Sequence, residues 1–114
     1  MVHVKRVSEV AQEAVSMEGA RNVAVQWLID EKADAKNFAM RRFAIKKDGH
    51  TPLHSHDWEH EIYVLSGKGI VRVGDEIFVL EKDMVVYVPP NVVHQFRNDG
   101  DVDFFFLCMI PLKK

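Results

Sequence analysis

Turn residues recur at short, regular intervals between residues 60 and 88, and this spacing restricts the chain to few architectures. The stretch reads HEIYVLSGKGIVRVGDEIFVLEKDMVVYV, in which apolar, β-branched and aromatic runs alternate with GKG, GDE and EKD. Val71 and Val73 alternate with Arg72, as in a strand with one buried and one solvated face. Because the turns lie fewer than ten residues apart, the pattern predicts an antiparallel sandwich or barrel rather than βαβ units.

Three further strands are predicted outside this stretch, at 23–29, 38–45 and 103–110. The last is apolar on both faces, so we expect it to be buried on both, or buried on one face and covered by a partner subunit on the other. The segment 8–18 is the only one with helix-like composition, and it begins with a serine that can cap a short helix. The VHVKRV that precedes it reads as a strand.

The composition is that of one globular domain. The chain has 114 residues, of which 47% are hydrophobic, and a net charge of −2. We expect a single domain in which residues 1–37 are the N-terminal part and residues 38–114 the barrel core. Basic residues are scattered, which argues against a nucleic-acid partner. No apolar run reaches membrane-spanning length, the N-terminus does not resemble a secretory signal, and the single cysteine cannot form an internal disulfide. These features predict a soluble cytoplasmic domain.

Half of the six histidines fall in the eight-residue stretch HSHDWEHE that starts at His54. On a strand, His54 and His56 share a face because they are two positions apart, whereas the adjacent His60 and Glu61 point to opposite faces. Only one of that second pair can therefore join the first two histidines. His94 begins another strand after a Pro-Pro turn, and a barrel brings non-neighbouring strands around one interior.

Such a cluster predicts a metal site. Neutral imidazole suits Zn, Cu, Fe and Ni well and Mn acceptably. Without a thiolate cage the site does not resemble a closed structural zinc site, and an ion that prefers six ligands would keep positions open for water, O₂ or a substrate. The alternative for this stretch is a solvated turn with incidental histidines. The isolated His3 and His50 are interpreted as surface or satisfied core residues. A fourth histidine just after a turn favours the metal site.

These residues resemble the two motifs of the cupin superfamily over about residues 38–110. The first motif is a glycine, HxH, a glutamate and a glycine; the second is a glycine, PxG, a histidine and an asparagine. The matching residues are Gly49, His54, His56, Glu61 and Gly67, then Asp83, Pro89, Asn91, His94 and Asn98. The first motif is one residue short at two places, and Asp83 and Asn91 replace glycines, although both residue types suit turns. The resemblance implies an all-β fold, an antiparallel double-stranded β-helix or jelly-roll β-barrel.

The larger departure from the motif is the histidine that directly precedes its glutamate. The stretch HSHDWEHEIYVLSGKG resembles the small single-domain cupins, of the type-2 kind, that use four histidines around manganese or a similar ion. The resemblance implies one divalent metal ion per chain, with Mn or Fe favoured over Zn, Ni or Cu. The implied ligands are His54, His56, His60 and His94, and Glu61 remains the alternative to His60.

In this cupin type the last strand lines the pocket behind the metal. The resemblance therefore implies an apolar back wall from that strand, while Trp58 covers the barrel mouth or packs under the loop. The expected pocket-lining residues are Phe106, Cys108, Phe96, Met40, Phe104 and Trp58. Arg41 and Arg42 are adjacent, so one of them can face inward and bind a substrate carboxylate or phosphate. The alternative, which we favour, is an edge strand on which both are solvated.

Three functions fit such a site, and the sequence identifies no catalytic residue for any of them. The preferred one is a metal-dependent oxygenase or oxidase of a small, partly hydrophobic organic molecule. The second is a metal-dependent isomerase or lyase of a sugar or keto acid, which needs a proton-transfer group such as a displaced carboxylate or Tyr63. The third is a small-ligand-binding barrel without chemistry. The N-terminal strand and the apolar last strand further predict a homodimer that pairs sheet edges.

Overall fold

The protein, described by a computed structural model at residues 2–112, is built almost wholly of strands. Its strands are β1 (Glu13–Ala14), β2 (Arg21–Ile29), β3 (Phe38–His50), β4 (His60–Ser66), β5 (Gly69–Val73), β6 (Glu76–Leu80), β7 (Val85–Val88), β8 (His94–Asn98) and β9 (Phe104–Pro111). Two short 3₁₀ turns, Val7–Glu9 and Glu31–Ala33, complete the regular structure of the described residues. Within residues 2–112, no helix is long and apolar enough to cross a membrane.

All strand pairs are antiparallel, and the sheet curls into a barrel. The strand order is β6-β5-β8-β3-β9-β4-β7, with β2 paired to β3 and β1 paired to β2. Strands that are distant in sequence are neighbours, as between β5 and β8 and between β4 and β9. This is the antiparallel jelly-roll arrangement that the turn spacing and the motifs predicted, so the expected fold class is confirmed.

The alternation of side chains along the strands places the apolar core inside the barrel. In β4 the buried positions are His60, Ile62 and Val64, and the residues between them, Glu61 and Tyr63, are exposed. The inward residues of the other strands complete one contiguous core with members such as Ile45, Val71, Leu80, Val88 and Phe106. Burial of this surface is the main favourable contribution to folding.

The N-terminal segment differs from the prediction. No helix forms at 8–18, which instead holds the end of the first 3₁₀ turn and the two-residue strand β1. Residues 2–6, predicted as a strand, have no regular structure. The physical reason lies in β2, because the buried side chain of Gln26 donates hydrogen bonds to the carbonyls of Val7 and Val10, both at 3.0 Å. These contacts satisfy backbone groups that a helix would have paired internally.

The last strand has no free edge. β9 lies between β3 and β4 and pairs with both, so the predicted pairing of this edge across a dimer axis is wrong. Phe104, Phe106 and Cys108 are buried, and the alternating positions, Phe105 among them, are half-buried. The outer face is covered within the chain, since the Arg42 guanidinium lies 4.2 Å from the centre of the Phe105 ring.

Two turns that lack the motif glycines adopt glycine-like backbone. Asp83 has φ 67° and Asn91 has φ 65°, both in the left-handed region. Aspartate and asparagine are the residues other than glycine that visit this region most readily. The substitutions therefore preserve the turn before β7 and the turn before β8. The second of these turns positions His94.

Candidate metal centre

Backbone hydrogen bonds join the loop between β3 and β4 to the start of β8 and to the turn before it. These bonds bring histidines that are distant in sequence together. The amide of His54 donates to the carbonyl of His94 at 3.2 Å, and the amide of His94 donates to the carbonyl of His54 at 2.9 Å. The amide of Asn91 donates to the carbonyl of His56 at 2.7 Å. His60 arrives separately, as the first residue of β4. Four histidines from three segments therefore share one end of the barrel interior.

Three of these side chains converge on one point, and the His60 ring adjoins them. A ligand nitrogen from each of His54, His56 and His94 lies within 4.8 Å of the other two. The Nε2 of His60 lies 2.9 Å from the Nε2 of His56, and the His60 and His94 ring centres are 5.0 Å apart. Glu61, on the opposite face of β4, is exposed. Of the two adjacent candidates, His60 is the one whose side chain enters the cluster.

Hydrogen bonds to carbonyls determine which ring nitrogens are free to bind a metal. Nδ1 of His56 lies 2.9 Å from the carbonyl of Trp58, and Nδ1 of His94 lies 2.9 Å from the carbonyl of Val92. A carbonyl only accepts, so each Nδ1 carries the proton and each Nε2 presents a lone pair. The Nε2 of His94 is buried and has no hydrogen-bond partner among the described residues. Ligating histidines are oriented in this way, so the donor set fits a metal ion.

His60 is placed to serve as a donor or as a ligand. The His56 Nε2 has a lone pair, so in the 2.9 Å contact it is the Nε2 of His60 that donates. Nδ1 of His60 then accepts from the Cys108 thiol, whose sulfur is 3.0 Å away. Burial raises the pKa of that thiol, which keeps it protonated. Metal binding at Nε2 requires the other tautomer, in which Nδ1 donates to the sulfur.

Electrostatics favour the neutral form of three of the histidines, His54, His56 and His60. Burial, and then the charge of Arg41, lowers the pKa of His60 to about 3. Burial is also the main cause that lowers the pKa of His54 and of His56, and the neighbouring histidines add to it. Neutral imidazole is the form that binds metals.

The histidines form part of the wall of a cavity of about 510 Å³ with aromatic sides. Its aromatic lining residues are Trp27, Phe43, Trp58, Phe96 and Phe106. Trp58 stacks on the His56 ring, with 3.8 Å between ring centres and 5° between planes. Cys108 and Arg41 complete the wall beside His60, and residues of the segment 15–17 contribute to the lining.

Two of the six expected pocket-lining residues lie elsewhere. Phe96, Phe106, Cys108 and Trp58 line the cavity, but Met40 and Phe104 do not. Met40 is on β3 one position before Arg41, so it points to the other face of that strand. Phe104 is fully buried in the core, beyond Phe106.

The two arginines of β3 are not a solvated pair on an edge. β3 is flanked by β2 and β9, so the expectation of an edge strand is wrong. Arg41 lines the cavity. Arg42 lies on the opposite face, where it donates to the Gln26 side chain at 3.1 Å.

Sequence reasoning missed Trp27, Phe43 and the 15–17 segment as cavity residues. Phe43 shares the face of Arg41 by strand parity, so it would have been found had Arg41 been placed inside. The segment reaches the cavity only through its pairing with β2, which no local pattern reveals.

His3 and His50 lie outside the cluster. Tyr63 is exposed on the outer face of β4 and donates to Asp83 at 2.7 Å.

Comparisons with known proteins agree with this geometry. The cupin domain family matches residues 41–110 of the chain. The polyketide cyclase RemF from Streptomyces resistomycificus superposes with a TM-score of 0.93, at 29% identity, over 99% of this chain and 81% of that one. The oxalate-binding protein of Thermotoga maritima is 30% identical over 115 residues, which are 96% of this chain and 93% of that protein.

A third relative matches over a shorter stretch. The 1-methylthio-D-xylulose 5-phosphate methylsulfurylase of Rhodospirillum rubrum is 32% identical over 75 residues, 66% of this chain and 48% of that protein. The chain therefore spans about half the length of this relative. The family match covers more than half of the chain and agrees with the barrel and the histidine cluster. The chain belongs to the cupin family.

Proposed function

We propose that His54, His56, His60 and His94 hold one divalent metal ion, and that the protein is a metal-dependent oxygenase or oxidase of a small, partly apolar organic molecule. The observation that carries the proposal is the convergence of these imidazoles at the wall of an aromatic cavity, with Nε2 lone pairs of His56 and His94 directed into the cluster. A bound Mn or Fe ion would supply redox chemistry and open coordination positions.

The protein's own residues bind the metal and shape its surroundings. The ligands are neutral, so they would leave the ion its full positive charge, which favours binding of an oxygen donor. Trp58 and Phe43 give the cavity apolar sides, which exclude water from a bound substrate. The cavity volume of about 510 Å³ is within the range of small-molecule sites.

The same lining argues against proton-transfer chemistry of the isomerase or lyase type. No aspartate or glutamate is among the residues that line the cavity in the described part of the chain. Tyr63, the other candidate base, faces away from the cavity. An isomerase needs a positioned base within hydrogen-bond reach of its substrate, and beyond the histidines the cavity offers only hydroxyl groups and the Cys108 thiol, whose pKa burial raises.

A redox-independent reaction is the second candidate, and the relative RemF favours it. That protein is named a polyketide cyclase, and a metal ion in this cavity would polarise a carbonyl of an aromatic ligand without O₂. The oxalate-binding protein instead favours ligand binding without chemistry. Two observations distinguish the three functions. An oxygenase or oxidase requires O₂, a redox-independent enzyme releases product without O₂, and a binding protein releases no product.

The first test is the metal content of protein purified without added metal or a histidine tag. We expect about one equivalent per chain, with Mn or Fe supporting the redox function. Metal-loaded protein is then tested for O₂ consumption with diols, ketones and flavonols. We expect His94→Gln to abolish consumption and His50→Gln, outside the cluster, to retain it. Turnover without O₂ would favour the second candidate, and absence of turnover with every metal would contradict an enzyme.

A further inference from the structure

The cavity contains a positive charge beside the histidine cluster, that of Arg41. Arg41 extends inward from β3, and its guanidinium carbon lies 4.8 Å from the centre of the Phe43 ring and 5.2 Å from that of Trp27. Its Nη2 donates to the Cys108 sulfur at 3.0 Å and lies 3.5 Å from Nδ1 of His60. The guanidinium is therefore adjacent to the histidine cluster, separated from its centre by the His60 ring.

No anionic side chain of the described residues compensates this charge. The ion pairs found there, Lys46–Asp103 and Lys47–Asp101, involve other residues and lie on the surface. Guanidinium stays protonated at every physiological pH. An uncompensated charge in an apolar cavity is unfavourable, and aromatic faces compensate it only in part.

The hydrogen-bonding capacity of Arg41 is also unmet. Its Nε is buried and has no partner among the described residues. Its Nη1 makes no hydrogen bond there either, and only Nη2 is engaged, by a sulfur and an imidazole. Guanidinium donors pair best with the two oxygens of a carboxylate. The cavity thus presents a charge, unused donors and aromatic walls together.

We propose that Arg41 binds the carboxylate of the molecule that occupies this cavity, and that this molecule is an apolar, ring-bearing carboxylate. The aromatic walls receive the ring, and Arg41 receives the anionic group. The inference rests on the proposed function for the role of the metal, and it deepens that function by naming the substrate class. Arg41 is then a binding residue, and its charge sets the orientation of the ring relative to the histidines.

The test uses two probes of the same shape and different charge, 2-naphthoate and 2-naphthamide, titrated by calorimetry into the protein as purified and after removal of metal. In the metal-free protein no ion can hold the carboxylate, so a preference for naphthoate reports on Arg41. We expect naphthoate to bind about ten to a hundred times more tightly than naphthamide. Arg41→Gln should bring this ratio near one while the affinity for naphthamide stays unchanged.

Arg42→Gln is the matched control, because it removes the same charge from the other face of β3, and it should preserve the preference. If Arg41→Gln does not fold, Arg41→Met retains an apolar stem against Trp27 and Phe43 and is expected to give the same loss. A preference that survives in the folded Arg41 variants, or equal binding of both probes by the unaltered protein, would overturn the proposal. Metal content is measured in parallel. If the protein as purified contains no metal and takes none up, yet shows the Arg41-dependent preference, the proposed function is contradicted and this inference stands.

Discussion

At the scale of single residues, the site depends on short-range contacts that orient the imidazole rings. The carbonyl that accepts from His56 belongs to the residue two positions later, and the one that accepts from His94 belongs to the residue two positions earlier. Each contact fixes a tautomer and aims an Nε2 lone pair at the cluster. The sequence predicted which residues would bind a metal ion. It did not predict the ring orientations, because these depend on the backbone hydrogen bonds between the loop and β8.

The first prediction at this scale separates His60 from Glu61 as a ligand. His60→Ala removes a side chain that is only 8% exposed and adjoins His56, whereas Glu61→Ala alters an exposed one. We expect His60→Ala to weaken metal affinity at least about tenfold and Glu61→Ala to leave it unchanged, as measured by metal analysis after dialysis. Full occupancy in His60→Ala together with loss in Glu61→Ala would show that the glutamate is the ligand.

The second prediction is that the metal-free protein loses stability in acid. The folded protein holds the pKa of His60 at about 3, against 6.5 in the absence of these surroundings. Below pH 6.5 His60 becomes protonated in the unfolded chain, whereas in the folded protein it stays neutral until the pH approaches 3. The contribution of neutral His60 is therefore fully present above this window and is lost as the pH falls through it.

We expect the free energy of unfolding, measured in urea, to fall by on the order of a few kcal/mol between about pH 7 and pH 4. The lowered pKa values of His54 and His56 act in the same direction. His60→Gln should reduce the fall, and His3→Gln, outside the cluster, should not. A stability that is constant over this range would contradict the lowered pKa of His60.

At the scale of elements, the start of β5 packs directly against the ring of the core residue Phe104 and leaves no space for a side chain there. Gly69 is the first residue of β5, and a Cβ built on it would overlap the Phe104 ring. Phe104 is itself fully buried and packs against Phe106, a wall residue of the cavity. The absence of a side chain at Gly69 thus leaves room for the Phe104 ring, which packs against the back wall of the site.

The prediction at this scale is that Gly69→Ala destabilises the protein by about 1–3 kcal/mol, the usual cost of overpacking a core. Gly100→Ala is the control, because the nearest atom to its Cβ would be an ordinary 3.6 Å away, on Lys68. Both variants are compared by chemical denaturation. Equal stability of Gly69→Ala and the unaltered protein would mean that Phe104 shifts without cost.

At the scale of the whole molecule, apolar side chains are exposed at both ends of the sheet. β6 ends the strand order on one side and β7 on the other. On β6, Ile77 is 66% and Val79 52% exposed, and Val85 on β7 is 71% exposed. Exposed apolar residues on unpaired edges are typical of protein contacts. Along this strand order the free edges are therefore β6 and β7, rather than β9, and a further edge lies at β1, which pairs only with β2.

We predict a homodimer in solution, which light scattering at micromolar concentration tests directly. The double variant Ile77→Lys, Val79→Lys places charges on one face of β6 and should yield monomers. Val102→Lys changes a residue of the same exposure in a loop and should not affect the mass. A monomeric mass for the unaltered protein would refute the prediction.

The sequence by itself determined the features that depend on local periodicity. Turn spacing predicted an antiparallel sandwich or barrel. Strand parity showed that only one of His60 and Glu61 can face inward, and the family resemblance favoured His60. The motif pattern located the histidines that meet in the cluster. These features follow from side-chain alternation and turn preferences, which act within a few residues.

Only the tertiary structure decided the features that depend on pairing between distant segments. Arg41 rather than Arg42 faces the cavity because of the pairing of β3 with β2 and β9. The helix expected at 8–18 did not form because the Gln26 side chain and β2 bind that segment's backbone. Such contacts outweigh local propensity, which is a weak preference that tertiary interactions readily override.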